Sequence, residues 1–435
     1  MKRTNSFRLF DIFLIFGLFC IIYNPPIFSI NSMHVIGLIS WIILVFSAGT
    51  SKNIIPKYAL KLILSFAIFA GYLFFISALF NHGTLYVFYT HIYFLIDIIP
   101  FGVVVRNYFV KKNRPYNDLF SILFTTTLIQ SFIIVLAYIY SPFQQFLISR
   151  FVSYGYKSVY VSISRYRMYG FSGGLTFATP ILHAFVSILM FYYAIKDKKK
   201  RYYLFSLLTL FSAIINARTS IVVAAVGIVC LTLFSRIELG KKIFLFFGEC
   251  ALVLLLYYLV PPILQSVSME SYLWVEDGIN QIKSFFIGDT SEGYFSYILS
   301  SEQYPLPSSA VGILLGTGHD VFGSASQSLF GVSTDVGFIN DLWKGGILYV
   351  LCYYIFIVSL FIRMIRKDNY LVSFMGLFSL FSYPLLMFKG SIFDMCDLTN
   401  FIVIVFVVSF DYELKKDKYE RRRQFKSNGC CCALQ

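Results

Sequence analysis

Apolar runs of about twenty residues recur from one end of this chain to the other, and that is the length a helix needs to cross the hydrocarbon of a bilayer. Residues 59–80, ALKLILSFAIFAGYLFFISALF, hold a single charge, and residues 345–362 hold none. Hydrocarbon gives the backbone no hydrogen-bonding partner, so a spanning segment must bond to itself as a helix or join a closed barrel. The runs are continuous rather than alternating, which selects helices. Twelve candidate spans follow: 9–28, 33–49, 59–80, 84–105, 119–140, 175–195, 202–217, 219–234, 243–262, 337–362, 370–388 and 398–410. The expected fold class is all-α, a polytopic integral membrane protein whose residues 1–435 form one transmembrane helical domain. Composition agrees, because 58% of the chain is hydrophobic and only 13% charged, whereas soluble domains carry about a quarter charged residues.

Twelve spans place both termini on one side. The connections on that side, with the two ends, hold 28 of the 36 Lys and Arg. The other side keeps Arg150, Lys157, Arg165, Arg167, Arg218, Lys283, Lys344 and Lys389. Basic residues stay cytoplasmic, so both termini are expected in the cytoplasm of a bacterial inner (plasma) membrane. The net charge of +14 then reports orientation and gives no reason to expect nucleic acid as a partner. The start, MKRTNSFRLF, has a basic head before an apolar run, but YNPPIFS is too bulky for a cleavage site. The first span is expected to remain as a membrane helix. Residues 411–435 form a basic cytoplasmic tail. Its last four residues, CALQ, fit a prenylation signal in form, although a chain with twelve spans gains little from a lipid anchor. The eight cysteines show no CxxC pair and no metal-ligand spacing.

Two outward connections are long, and long connections in compact proteins tend to carry function. Residues 141–174 form a basic periplasmic loop with Arg150, Lys157, Arg165 and Arg167 and no acid. Residues 263–336 form an acidic and aromatic periplasmic loop, with enough apolar surface for short helices lying on the membrane. In the first loop, SRYRMYGFSGG sets Arg165 and Arg167 two apart and follows them with glycines, Gly170 among them. Guanidinium forks suit phosphate oxygens through paired, charge-assisted hydrogen bonds. Arg150 and Lys157 can join such an anion site or can snorkel to lipid headgroups. Arg218 stands in NARTS, between two short apolar runs. There a charge is expensive and marks a site by default, with Thr219 and Ser220 able to cap the next helix. Its other reading is a turn residue reaching water.

These blocks resemble a known family. RYRMYGFSGGLTFATPILHA is similar to the Arg-x-x-G-x-F…P segment of bacterial O-antigen polymerases and ligases, and SAIINARTSIVVAAVGIV to their Ser/Thr-Arg-Thr/Ser turn. LLGTGHDVFG followed by STDVGFINDLWKGGILYVLCYY is similar to their G-x-G element and the Asp-x-Gly stretch entering a late span. The likeness covers roughly 164–235 and 311–365. It implies a membrane glycosyltransferase, an O-antigen polymerase of lipopolysaccharide and other surface-polysaccharide biosynthesis. Its donor and acceptor would be oligosaccharides on undecaprenyl pyrophosphate, joined at the periplasmic face. Negative charge grows on the departing pyrophosphate, so fixed cations there favour the transition state. Arg165, Arg167 and Arg218 are the candidates for that role, with Arg150, Lys157, Gly170 and Asp320 as substrate-binding residues. His319 and Asp335 are candidates for proton handling, against a plain loop histidine and a cap for the helix near Val336. No cofactor and no metal are expected; membrane lipid and a chain-length regulator are the further expected partners. The departure from the family is the second loop, where Lys283 stands alone among acids. The nearer alternative is an O-antigen ligase using lipid A core as acceptor. The alternative of another class is a flippase for lipid-linked oligosaccharide. Within the spans, Asp97 and Glu249 are expected to pair with His91, His183 or backbone groups, and Asp341 with Lys344.

Overall fold

The computed structural model describes residues 9–27, 30–48, 55–80, 87–151, 167–168, 170–172, 178–235, 240, 242, 247, 262, 265, 269–287, 294–322, 331–392 and 396–410. Among them the chain is helical, apart from a two-residue antiparallel pair, Pro26–Ile27 with Ile30–Asn31. The helices are α1 (Leu9–Tyr23), α2 (Ser32–Ala48), α3 (Lys57–Phe80), α4 (Tyr89–Lys112), α5 (Tyr116–Ile139), α6 (Ser141–Phe151), α7 (Ala178–Lys196), α8 (Arg201–Ile214), α9 (Thr219–Phe234), α10 (Met269–Ile287), α11 (Tyr294–Leu299), α12 (Ala310–Leu315), α13 (Gly337–Ile365), α14 (Tyr370–Leu386) and α15 (Asp397–Phe410). Five of these segments, α3, α4, residues 117–139 of α5, α7 and α13, are long and apolar enough to cross a membrane. Six more are apolar but shorter: α1, α2, α8, α9, α14 and α15. The expected run at 243–262 falls almost wholly outside the described residues.

Helix α7 is the axis of the bundle, with 83% of its apolar window buried. It packs against α5, α8, α9 and α14. Polar groups this deep must be satisfied inside the protein. Accordingly His183 of α7 bonds to Tyr23 Oη at 3.1 Å, Ser131 Oγ at 3.2 Å and Ser212 Oγ at 2.8 Å. The outer helices turn Phe46, Leu64, Ile68, Leu204 and Ile355 away from the protein. A surface so rich in large apolar side chains suits hydrocarbon rather than water.

Buried ions find partners other than those the sequence suggests. Asp97 lies in a π turn, Phe94–Ile98, inside α4 and pairs with His34 Nδ1 at 2.7 Å. His91 instead bonds to Tyr349 Oη at 2.8 Å. Both expected histidines are thus engaged elsewhere. Asp11 pairs with Arg114, which also reaches Asp118 at 3.0 Å. Glu249 lies outside the described residues.

Helix α13 is broken. Gly346 has φ 70° and ψ −179°, so the helix stops at Gly345 and restarts. A break inside an apolar helix strands carbonyls, and each one buried without a donor costs about 1–3 kcal/mol. Here the Gly316–Gly318 loop and Tyr72 of α3 supply the donors. Thr317 N reaches Trp343 O at 2.8 Å, Gly318 N reaches Lys344 O at 3.2 Å, and Tyr72 Oη reaches Gly345 O at 3.0 Å. The G-x-G element is therefore a backbone plug for a discontinuous helix. Lys344, two residues before the break, is buried and faces Asp320 Oδ2 at 3.5 Å. Asp341 accepts from Tyr354 Oη at 2.8 Å.

Candidate functional site

Helix α10 builds the site from one face. Trp274, Asp277 and Gly278 are spaced i, i+3 and i+4, so they share a side of the helix. All three meet Arg218, which precedes α9. Its Nη2 donates to Asp277 Oδ2 at 2.7 Å and to Trp274 O at 2.5 Å. Its guanidinium lies over the Trp274 ring at 4.9 Å. Arg167 lies over the same ring at 5.0 Å. One indole thus sits against both cations, each attracted by the ring's quadrupole. Gly278 lets the Arg218 stem lie flat, because a Cβ there would stand 2.6 Å from Nε.

A small apolar cluster seats this arrangement. Ile134, Tyr138, Met168, Ile215 and Val275 bury one another, with Phe211, Tyr272 and Trp274 packed against them. Each fully buried side chain of this size contributes about 1.5–3 kcal/mol. The cluster joins α5, the Arg167 segment, the end of α8 and α10, so the two long connections of the sequence meet here.

A third cation completes the group. Lys389, in the connection between α14 and α15, faces Asp335 Oδ2 at 3.8 Å. Burial lowers the pKa of its ammonium group, the Asp335 carboxylate opposes that shift, and Arg167 and Arg218 add repulsion. Lys389 therefore stands within electrostatic reach of both arginines. The two arginines on Trp274, with the Lys389–Asp335 pair within electrostatic reach, make a cationic group that suits an anionic ligand.

The expected residues fall into two places. Arg167, Arg218 and Asp335 belong to this cationic group. Asp335 does not cap α13: the Thr334 hydroxyl accepts from Val336 N at 3.0 Å, while Asp335 N is held by Gln303 Oε1 at 2.9 Å. Thr219 and Ser220 do not cap α9, since no side chain caps it and Ser220 Oγ donates back to Ala217 O at 2.5 Å. Gly170 has φ 61°, and a Cβ there would stand 2.8 Å from Gln130 Nε2. Its role is to let the Arg167 segment turn against α5. His319 and Asp320 belong instead to the loop plugging α13, where His319 Nδ1 lies 3.0 Å from Thr317 Oγ1. Partial burial lowers the His319 pKa, keeping the imidazole neutral and able to accept a proton. Arg150 lies on α6 with its side chain outside the described residues, as are Lys157 and Arg165 entirely.

Sequence reasoning passed over Trp274, Asp277 and Lys389 as site residues. The signal for the first two was the i, i+3, i+4 pattern Trp-x-x-Asp-Gly in the acidic loop. Lys389 offered only its place among eight outward cations. Among the described residues no group of three His, Cys, Asp or Glu side chains is placed to hold a metal ion. Comparison with protein-family models, curated proteins and solved structures returns no match to this chain.

Proposed function

We propose that the chain is a twelve-span inner-membrane glycosyltransferase with both termini cytoplasmic, polymerising oligosaccharide units carried on undecaprenyl pyrophosphate at the periplasmic face. The observation that carries this reading is the convergence of Arg167 and Arg218 on the Trp274 ring. In the reaction a hydroxyl of the acceptor glycan attacks the donor's anomeric carbon as the bond to the diphosphate oxygen breaks. The hydroxyl proton passes to a base, and the diphosphate departs on its lipid. Guanidinium and ammonium groups fixed where that negative charge grows stabilise the transition state more than the bound substrate. One displacement inverts the anomeric centre. Asp335, which belongs to the cationic group, is the candidate base, with His319 and Asp320 on the loop plugging α13 as candidates for binding the acceptor's hydroxyl groups.

Purified protein in lipid nanodiscs, given undecaprenyl-diphosphate-linked repeat units, is expected to make a ladder of longer lipid-linked glycans. The ladder should persist in excess EDTA, because the cations that take the charge are side chains. Strict dependence on Mg²⁺ or Mn²⁺ would reject that mechanism, and no ladder with transfer to lipid A core would make the protein a ligase. Movement of the lipid-linked unit across the bilayer without new glycosidic bonds would make it a flippase.

Gly278→Ala offers a separate check on the site. The added Cβ meets a flexible arginine stem, and alanine gains up to about 1 kcal/mol of helix propensity over glycine. Thermal stability should stay level or rise, while turnover falls at least about tenfold as Arg218 is pushed off Trp274. Undiminished turnover would remove Arg218 from the site.

A further inference from the structure

The segment bearing Arg167 is short, rich in glycine, and far in sequence from everything that holds it. Three buried polar side chains from three helices fasten it. Asn216 Oδ1, just after α8, accepts from Met168 N at 2.5 Å. Gln130 Oε1, on α5, accepts from Phe171 N at 3.3 Å. Asp397, the first residue of α15, closes the third contact: its Oδ2 lies 2.5 Å from Thr179 Oγ1 and 3.5 Å from Ser172 Oγ, and the two hydroxyls are 2.7 Å apart. Asp397 and Ser172 are both nearly inaccessible.

The carboxylate stands out among the three. Burying a carboxyl group is costly unless its oxygens are bonded, and among the described residues this one is spent on two hydroxyls rather than on an ion pair. Asparagine or threonine could accept such a bond at lower cost. Geometry rather than charge makes the tie: one oxygen, Oδ2, holds both hydroxyls to the start of α15. We propose that Asp397 is a positioning residue, which through Ser172 and Thr179 clamps the Arg167 segment onto the bundle and so fixes the guanidinium against Trp274. The role given to Arg167 rests on the function proposed above; the clamp itself does not.

The test uses full-length protein in nanodiscs, in a Trp41→Phe, Trp343→Phe background that leaves Trp274 as the only indole. Two readouts are followed: turnover of lipid-linked repeat units, separated into kcat and KM, and Trp274 emission. Asp397→Ala is expected to lower kcat about 100-fold, the scale of an ångström's misplacement, with KM changed little. Trp274 emission should move to the red as Arg167 leaves its face. Asp397→Asn keeps an oxygen for the Thr179 hydroxyl and should recover most of both signals. Thr179→Val should reproduce the alanine variant, and serves in its place if that variant does not fold. Unmoved emission in Asp397→Ala or Thr179→Val overturns the clamp. So does an Asp397→Asn protein as inactive as the alanine variant but with wild-type emission, because the carboxyl group would then act in the chemistry. If Asp397→Ala shifts emission while Arg167→Ala still polymerises normally, the clamp stands and the proposed function falls.

Discussion

An Arg218→Ala protein is expected to reach the membrane at the wild-type level and to make no detectable polymer. The arginine donates to Asp277 and to Trp274 O and lies on the Trp274 ring, so its loss removes a fixed cation and also leaves the Asp277 carboxylate without that partner, beside where the proposed diphosphate would bind. Removing one preorganised donor from a developing oxyanion costs about 100- to 1000-fold in turnover, and the exposed carboxylate adds repulsion. Arg218→Lys should recover only part of the activity, because an ammonium group cannot fork onto two oxygens or stack as a guanidinium does. The double change Arg218→Ala, Asp277→Asn should be less damaged than the single one. The measurement is chain-length distribution on a gel of surface polysaccharide, beside an immunoblot of membranes. Wild-type chain length in Arg218→Ala would remove the proposed site.

Gly346→Val is expected to prevent stable folding. The residue sits at φ 70°, which side chains bearing a Cβ rarely adopt and β-branched ones least of all. A Cβ would also stand 2.4 Å from both Gly316 N and Leu314 O. Both are backbone atoms, one of the plugging loop and one of α12, so nothing flexible can yield. Strain at a special φ and overpacking are each among the mechanisms that produce the largest single-residue losses, and together they exceed about 4 kcal/mol. Detergent-solubilised protein should be lost at size exclusion or melt far below wild type. A variant that keeps its wild-type melting temperature would show that α13 can run unbroken.

The helices were legible because hydrocarbon imposes a length and a composition that show in any window of the sequence. The break in α13 was hidden by that same signal: Gly345–Gly346 sits inside an apolar stretch and reads as part of one span. The arginines of the candidate site were conspicuous as well, since each stands among apolar residues. Their partners were not. Arg218 and Asp277 stand 59 positions apart, and the acids of the second loop look like a solvated surface until one of them is seen to neutralise an arginine from elsewhere. Asp97 was expected beside His91 or His183, yet it pairs with His34. Sequence cannot show which histidine is already committed, and here Tyr349 and the Tyr23, Ser131 and Ser212 hydroxyls had taken the other two.

The connection between α14 and α15 has a consequence for how the protein is made. Arg167 and Arg218 leave the ribosome long before Lys389 and Asp397, and until those arrive the arginine segment has no third anchor and no third cation. A chain stopped at Leu386 would carry both arginines and nearly every apolar helix into the membrane, yet lack Lys389 and Asp397. On the proposed function, competence would thus be conferred by the final stretch of synthesis, and a nascent, half-inserted molecule would lack what it needs to hold a lipid-bound diphosphate.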